Sequence, residues 1–155
     1  FNALFLLRHA AAHFAAERIG LRHVVDWALF LHHYGSQVDW KRFYHFAKEM
    51  NMDKFLFCIN SICIDHLGIS PDIVPPYPRD KRLENRLLEE ILSPGFQVPM
   101  PKKGNPLIYV WKLRRWSRNS WKNKIVYREN LINQFLVLWM SHIFGPKVEN
   151  REKKV

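Results

Sequence analysis

The chain has 155 residues and a formal net charge of +10. Hydrophobic content of 48%, with six Trp and eleven Phe, excludes general disorder. The length suits one domain able to bury roughly 70% of its unfolded surface, and no apolar run reaches the ~20 residues of a membrane span.

The first residue is Phe rather than Met and a helix is already under way, so the sequence reads as a fragment or processed piece of something longer. Asn2 is placed to cap a first helix running to about Ala16, with Leu4, Leu7, Ala11 and Phe14 as its inner stripe. Ile19-Gly20 marks a tight break, because Gly leaves helical dihedrals most cheaply. A second helix is expected from Leu21 to His33, ending at Tyr34-Gly35-Ser36. Asp39 is read as the cap of a third, Trp40 to Met50, with Phe43, Phe46 and Ala47 inward. Asp53 is read as the cap of a fourth, Lys54 to Leu67, with Phe55, Ile59, Ile62 and Leu67 as its stripe and Gly68 as its stop.

Residues 69–79 hold four prolines and cannot form regular helix, so they read as a linker or a packed crossover between 1–68 and 80–146. Asp80 caps a fifth helix to about Leu92, with Leu83, Leu87 and Leu88 apolar and Glu84, Glu89 and Glu90 exposed. Pro94-Gly95 and a second Pro-rich loop to Gly104 follow. Asn105-Pro106 then starts a helix to about Trp121, carrying Trp111, Leu113 and Trp116. Arg128 to Phe144 makes a last helix, and residues 147–155 a charged tail. No strand and no internal repeat is evident, so the expected fold is an all-α bundle of about six to seven helices in one compact domain. Cys58 and Cys63 lie five apart and point to different faces, which argues against a disulfide or zinc scaffold. With no signal peptide, a reducing, cytoplasmic setting is expected.

Charge is concentrated late in the chain. From Ile91 to Arg128 there are nine Lys or Arg and no acid. Arg114, Arg115, Arg118, Lys122 and Lys124 interleave with Trp116 and Trp121, a pattern that grips phosphates while stacking bases, or lies on an anionic membrane surface. The plainer reading is a solvated helix face whose Trp residues anchor the core beneath Arg stems.

The residues richest in chemistry lie between Arg8 and Leu31. His9 and His13 are four apart and share a helix face, roughly 5–6 Å from each other. Arg22 and Asp26 repeat that spacing on the next helix, with Trp27 following on the apolar side. A tight hairpin brings these groups towards one seam, where they pair internally or serve a ligand. Two histidines alone do not complete a metal site, and with only Asp26 or His23 available as a third ligand no metal is assigned. The alternative for the imidazoles is bonding to backbone carbonyls or Asp26. Arg22 and Asp26 read either as an intrahelical ion pair or as a phosphate-binding guanidinium held by a carboxylate.

LLRHAAAHF, GLRHVVDWALFLHHY and DWKRFYHFAKEMNMDKF, over about residues 4–68, resemble the helical part of a bacterial family of uncharacterised nucleotidyltransferases. WKLRRWSRNSWKNKIVY is a weaker echo of it. That family belongs to the minimal nucleotidyltransferase superfamily and is often associated with surface-polysaccharide loci. The resemblance implies a catalytic lobe with Gly-Ser followed about ten residues later by Asp-x-Asp, which holds divalent ions on a triphosphate. Here Gly35-Ser36 is followed by Asp39 after three positions, and neither Asp-x-Asp nor Asp-x-Glu occurs. The chain is therefore expected to be an accessory helical region, inactive by itself, beside an upstream nucleotidyltransferase lobe in the same longer chain or in a partner. Mg2+ is expected only with that lobe. By position, His9, His13, Arg22, Asp26 and Trp27 are the residues the resemblance puts nearest a nucleotide or acceptor pocket.

Two other classes compete. Arg8-His9-Ala-Ala-Ala-His13 fits the R-polar-x-x-x-H motif of HEPN-type ribonucleases. In that reading His13 is the general acid or base and Arg8 steadies the developing phosphorane, without metal. The remaining class is a structural protein-interaction bundle.

Overall fold

From Asp53 to Leu67 the sequence is apolar on nearly every side, and a helix of that kind belongs at the centre of a bundle. The computed structural model describes residues 2–16, 19–93, 99, 101 and 106–126. Six helices follow in chain order among them: α1 (Asn2–Ala16), α2 (Leu21–Tyr34), α3 (Trp40–Glu49), α4 (Asp53–Leu67), α5 (Lys81–Leu92) and α6 (Leu107–Val126). Short 3-10 turns occupy Gly35–Gln37 and Pro71–Ile73. No strand occurs among the described residues, and the fold is the all-α bundle that the periodicity predicts. The expected last helix from Arg128, the tail 147–155 and most of the loop through Pro94-Gly95 to Gly104 lie outside the described residues.

α4 sits against α2, α3, α5 and α6, while α1 closes over α2 and α6. The core joins Leu7, Ala11 and Phe14 of α1 to Trp27 and Leu31 of α2, Phe55 and Ile59 of α4, Leu87 of α5 and Val126 of α6. Burying one large aliphatic or aromatic side chain is worth roughly 1.5–3 kcal/mol, so this shared core is what holds the late helices onto the early ones. Two tryptophans bring their indole N–H groups into it. Trp27 Nε1 donates to Asn60 Oδ1 at 2.8 Å, and Trp40 Nε1 donates to the Gly35 carbonyl at 2.8 Å. Each indole is thereby satisfied where burial would otherwise penalise it. Burial pushes both the Cys58 and Cys63 thiols up to about 12, so neither carries a reactive thiolate at neutral pH.

Helix ends follow their capping residues. The Asp39 carboxylate accepts from the Arg42 amide, and Asp80 accepts from the amides of Arg82 and Leu83. Gly68 ends α4 in the left-handed region at φ 72°, its amide returning to the Cys63 carbonyl. Three expectations change. Asp53 is the first residue of α4 rather than its cap, which is Met52; a carboxylate in a first turn still suits the helix dipole. Gly20 has φ −96° and ψ 163°, extended backbone open to any residue, so the break before α2 does not depend on glycine's freedom. α6 continues past Trp121 to Val126, because Ile125 and Val126 reach the core.

Some stripes are also shifted. Leu67 is exposed, and α4 instead buries Leu56, Cys58 and Cys63 on its further faces. Leu113 is exposed on α6 while Trp111 and Trp116 are half-buried. Glu84, expected in solvent, is only 5% exposed. The reason is Arg79, which bridges α4 to α5 by contacting Asp65 at its Oδ2 and Glu84 at its Oε2, with Lys81 joining both carboxylates. Residues 69–79 pack against the bundle. Tyr77 stacks on Phe57 at 5.2 Å and shares a 3.1 Å hydrogen bond with Ser61, and Tyr44 donates to the Pro75 carbonyl at 3.0 Å.

Candidate functional site

α1 buries Leu7, Ala10, Ala11 and Phe14 and packs on α2 and α6. That packing turns the remaining face of α1 outward, and the 3.6-residue period puts Phe5, His9 and His13 along it. The Phe5 and His9 rings stack at 5.8 Å, and His9 meets His13 edge-on at 4.6 Å. His23, in the first turn of α2, completes a triangle, 5.6 Å from His9 and 4.8 Å from His13 between ring centroids. One ligand nitrogen from each ring lies within 4.8 Å of the others. The Gly20 amide donates to His23 Nδ1 at 3.3 Å, which anchors the ring at the head of α2. Partial burial, aided by the neighbouring His13 and His9, lowers the His23 pKa below its ordinary value against the opposing pull of Asp26.

Adjoining that face of α1, and sharing Phe5 and His9 with it, lies a cleft of about 950 Å³, walled by α1, the C-terminal half of α2, the 3-10 turn and α3. Its rings are Phe5, Phe30, Tyr34, Phe43 and Phe46; its polar groups are Arg8, His9, Gln37, Asp39 and Arg42. The Arg42 guanidinium lies over Phe46 at 5.5 Å, a cation–π contact that holds the charge at the wall. The Asp39 carboxylate, which caps α3 through the Arg42 amide, keeps its charge beside the two arginines. The cleft is an open groove that presents ring faces and two guanidinium groups to solvent.

The sequence-derived candidates divide accordingly. His9 lines both the cleft and the imidazole triangle, and His13 belongs to the triangle alone. Trp27 is 1% exposed and spends its indole N–H on Asn60. Arg22 and Asp26 are exposed on α2, and among the described ion pairs none joins them. Arg8 and His13, the pair of the ribonuclease motif, lie on one helix, but only Arg8 faces the cleft. The sequence reading gives Arg42 and Phe30 no role and takes Phe43 and Phe46 only as an inward stripe of α3. The signal available was spacing: Phe30 and Tyr34 are four apart, as are Arg42 and Phe46, so each pair shares a helix face.

The basic segment of α6 is not one surface. Arg114, Arg118 and Lys124 are exposed, whereas the Arg115 guanidinium lies over Trp111 at 5.4 Å. Lys122 leaves the patch altogether: it is 1% exposed, with Nζ 2.6 Å from Glu90 and 5.4 Å from the Phe14 ring. Trp121 meets Phe14 edge-on at 5.4 Å and is covered by the Arg86 guanidinium at 4.0 Å. It anchors the core beneath an Arg stem.

Residues 1–68, α1 through α4, match the family model described as uncharacterised nucleotidyltransferase. The match spans the stretch on which the resemblance rests, and over it the chain is similar to that family. No curated protein and no solved structure matches the chain.

Proposed function

We propose that this chain is the helical wall of a nucleotidyltransferase and that the cleft between α1 and the α2–α3 corner receives the nucleotide or the acceptor. One observation carries the reading: within the segment similar to the family, Arg8 and Arg42 face the same cleft as five aromatic rings. A guanidinium matches phosphate oxygens in bidentate fashion, and a ring face accepts a nucleobase or sugar. His9, at the meeting of the cleft and the imidazole triangle, supplies a third polar contact for such a ligand.

Transfer of a nucleotidyl group uses divalent ions held by carboxylates against the triphosphate. The chain has no Asp-x-Asp or Asp-x-Glu, and among the described residues the carboxylate that lines the cleft, Asp39, caps a helix. In this reading the ion-binding carboxylates and the Mg2+ belong to another lobe, in the same longer chain or in a partner, and these helices bind and orient. The test is a calorimetric titration of the 155-residue chain with each of the four nucleoside triphosphates. Arg8→Ala and Arg42→Ala should each weaken binding about 10-fold, while Arg22→Ala leaves it unchanged. No binding of any triphosphate, or equal affinities in the parent and Arg42→Ala, overturns the proposal.

A further inference from the structure

We propose that His9, His13 and His23 form a binding site for a first-row transition-metal ion, with Zn2+ the ion whose coordination they fit best. The placement is a consequence of the hairpin: α1 offers two imidazoles one turn apart and the head of α2 brings the third across the seam. A tetrahedral centre with Zn–N bonds of ~2.0–2.1 Å sets its imidazole ring centroids about 5 Å apart. The three separations here are 4.6, 4.8 and 5.6 Å, so the rings already stand at the spacing such a centre requires. Their ligand nitrogens lie within 4.8 Å of one another, against the roughly 3.3 Å of a tetrahedral centre, so binding requires the rings to swing inward.

The donor set selects the ion. Three nitrogens and no carboxylate suit Zn2+, Cu2+, Ni2+ or Co2+ and not Mg2+ or Ca2+, which prefer oxygen. The site is thus chemically distinct from the Mg2+ expected for phosphoryl chemistry, and it stands whether or not the cleft binds a nucleotide. His9 and His13 are exposed and His23 is half-buried, which gives an ion a path in and leaves a fourth position open to water or a ligand oxygen. Binding also breaks one bond. His23 Nδ1 now accepts from the Gly20 amide at 3.3 Å, and that hydrogen bond is lost whichever nitrogen takes the ion. If Nδ1 ligates, its lone pair is used; if Nε2 ligates, Nδ1 carries the proton.

The experiment is a Co2+ titration of the whole 155-residue chain, read by the visible absorption of nitrogen-ligated tetrahedral cobalt, followed by displacement with Zn2+. His13→Ala and His23→Ala are compared with His32→Ala, a change in the exposed His32–His33 pair near the other end of α2. The expected result is one ion per chain, at least about 10-fold weaker in His13→Ala and His23→Ala and unchanged in His32→Ala. Because His13 is exposed, His13→Ala keeps its helical circular dichroism and still tests the site if His23→Ala fails to fold. Absence of the cobalt band, or affinity indifferent to His13→Ala, overturns the proposal. Neither His13 nor His23 lines the cleft, so the nucleotide titration above stands or falls separately.

Discussion

A methyl group at Gly20 would meet nothing nearer than His23 Nδ1, 3.9 Å away, while one at Gly35 would run into the Ile73 side chain. The two glycines therefore answer to different constraints. Gly20→Ala exchanges a small gain in unfolded-state entropy against a poorer helix cap, and its stability should stay within about 0.5 kcal/mol of the parent. Gly35→Ala forces the 3-10 turn off Ile73 and should lose about 1–3 kcal/mol. Urea denaturation of both variants checks the pair; similar losses in the two would contradict the packing described here. The sequence signalled breaks at both positions, since Gly punctuates helical periodicity wherever it stands. It did not signal that Ile73, thirty-eight positions on from Gly35, would make the close approach. Arg42 was missed for a related reason, because an arginine on an amphipathic helix reads as solvated face until a neighbouring helix walls it in.

Between elements, charge does the tying that apolar periodicity does not reveal. Arg79 holds Asp65 on α4 and Glu84 on α5, and Lys81 backs the same carboxylates. Hydrogen bonds from Arg79 and then Lys81 hold the Asp65 carboxyl well below its ordinary value. Burial works to raise Glu84, but its bonds to Arg79 and Lys81 outweigh it and leave that carboxyl lowered as well. Both groups are thus ionised more readily in the folded chain than in the unfolded one. Their stabilisation is complete above about pH 5 and drains away as falling pH passes their folded pKa values, because the unfolded chain takes up protons first. Glu84→Gln should lower stability at pH 7 by about 1–2 kcal/mol and flatten the loss between about pH 5 and pH 3. Denaturation midpoints at pH 7, 5, 4 and 3 measure this, and parallel curves for variant and parent would contradict it. Glu84 illustrates why the sequence reading placed it outside. A Glu in a helix with two further acids looks solvated, and only the fold brings a guanidinium from the preceding segment over it.

Across the whole molecule, the helices were legible and their partners were not. Periodicity, Asp39 and Asp80 as caps, and Gly68 as a stop gave α1 to α5 nearly to the residue, since each signal is local. Which faces meet is not local, and so the cationic run of α6 was read as one patch although Lys122 turns inward to Glu90. The histidine pair was visible from its spacing, its junction with His23 only as a possibility, and the cleft not at all. Among the described residues no helix is long and apolar enough to cross a membrane, and the net charge of +10 favours anionic partners by long-range attraction. Hydrogen–deuterium exchange of the chain with and without a nucleoside triphosphate reads directly where such a partner sits. Slowed exchange should appear at residues 3–12 and 30–46, the two walls of the cleft, with α6 unchanged. Slowing confined to α6, or none anywhere at saturating nucleotide, would contradict the assignment of the cleft.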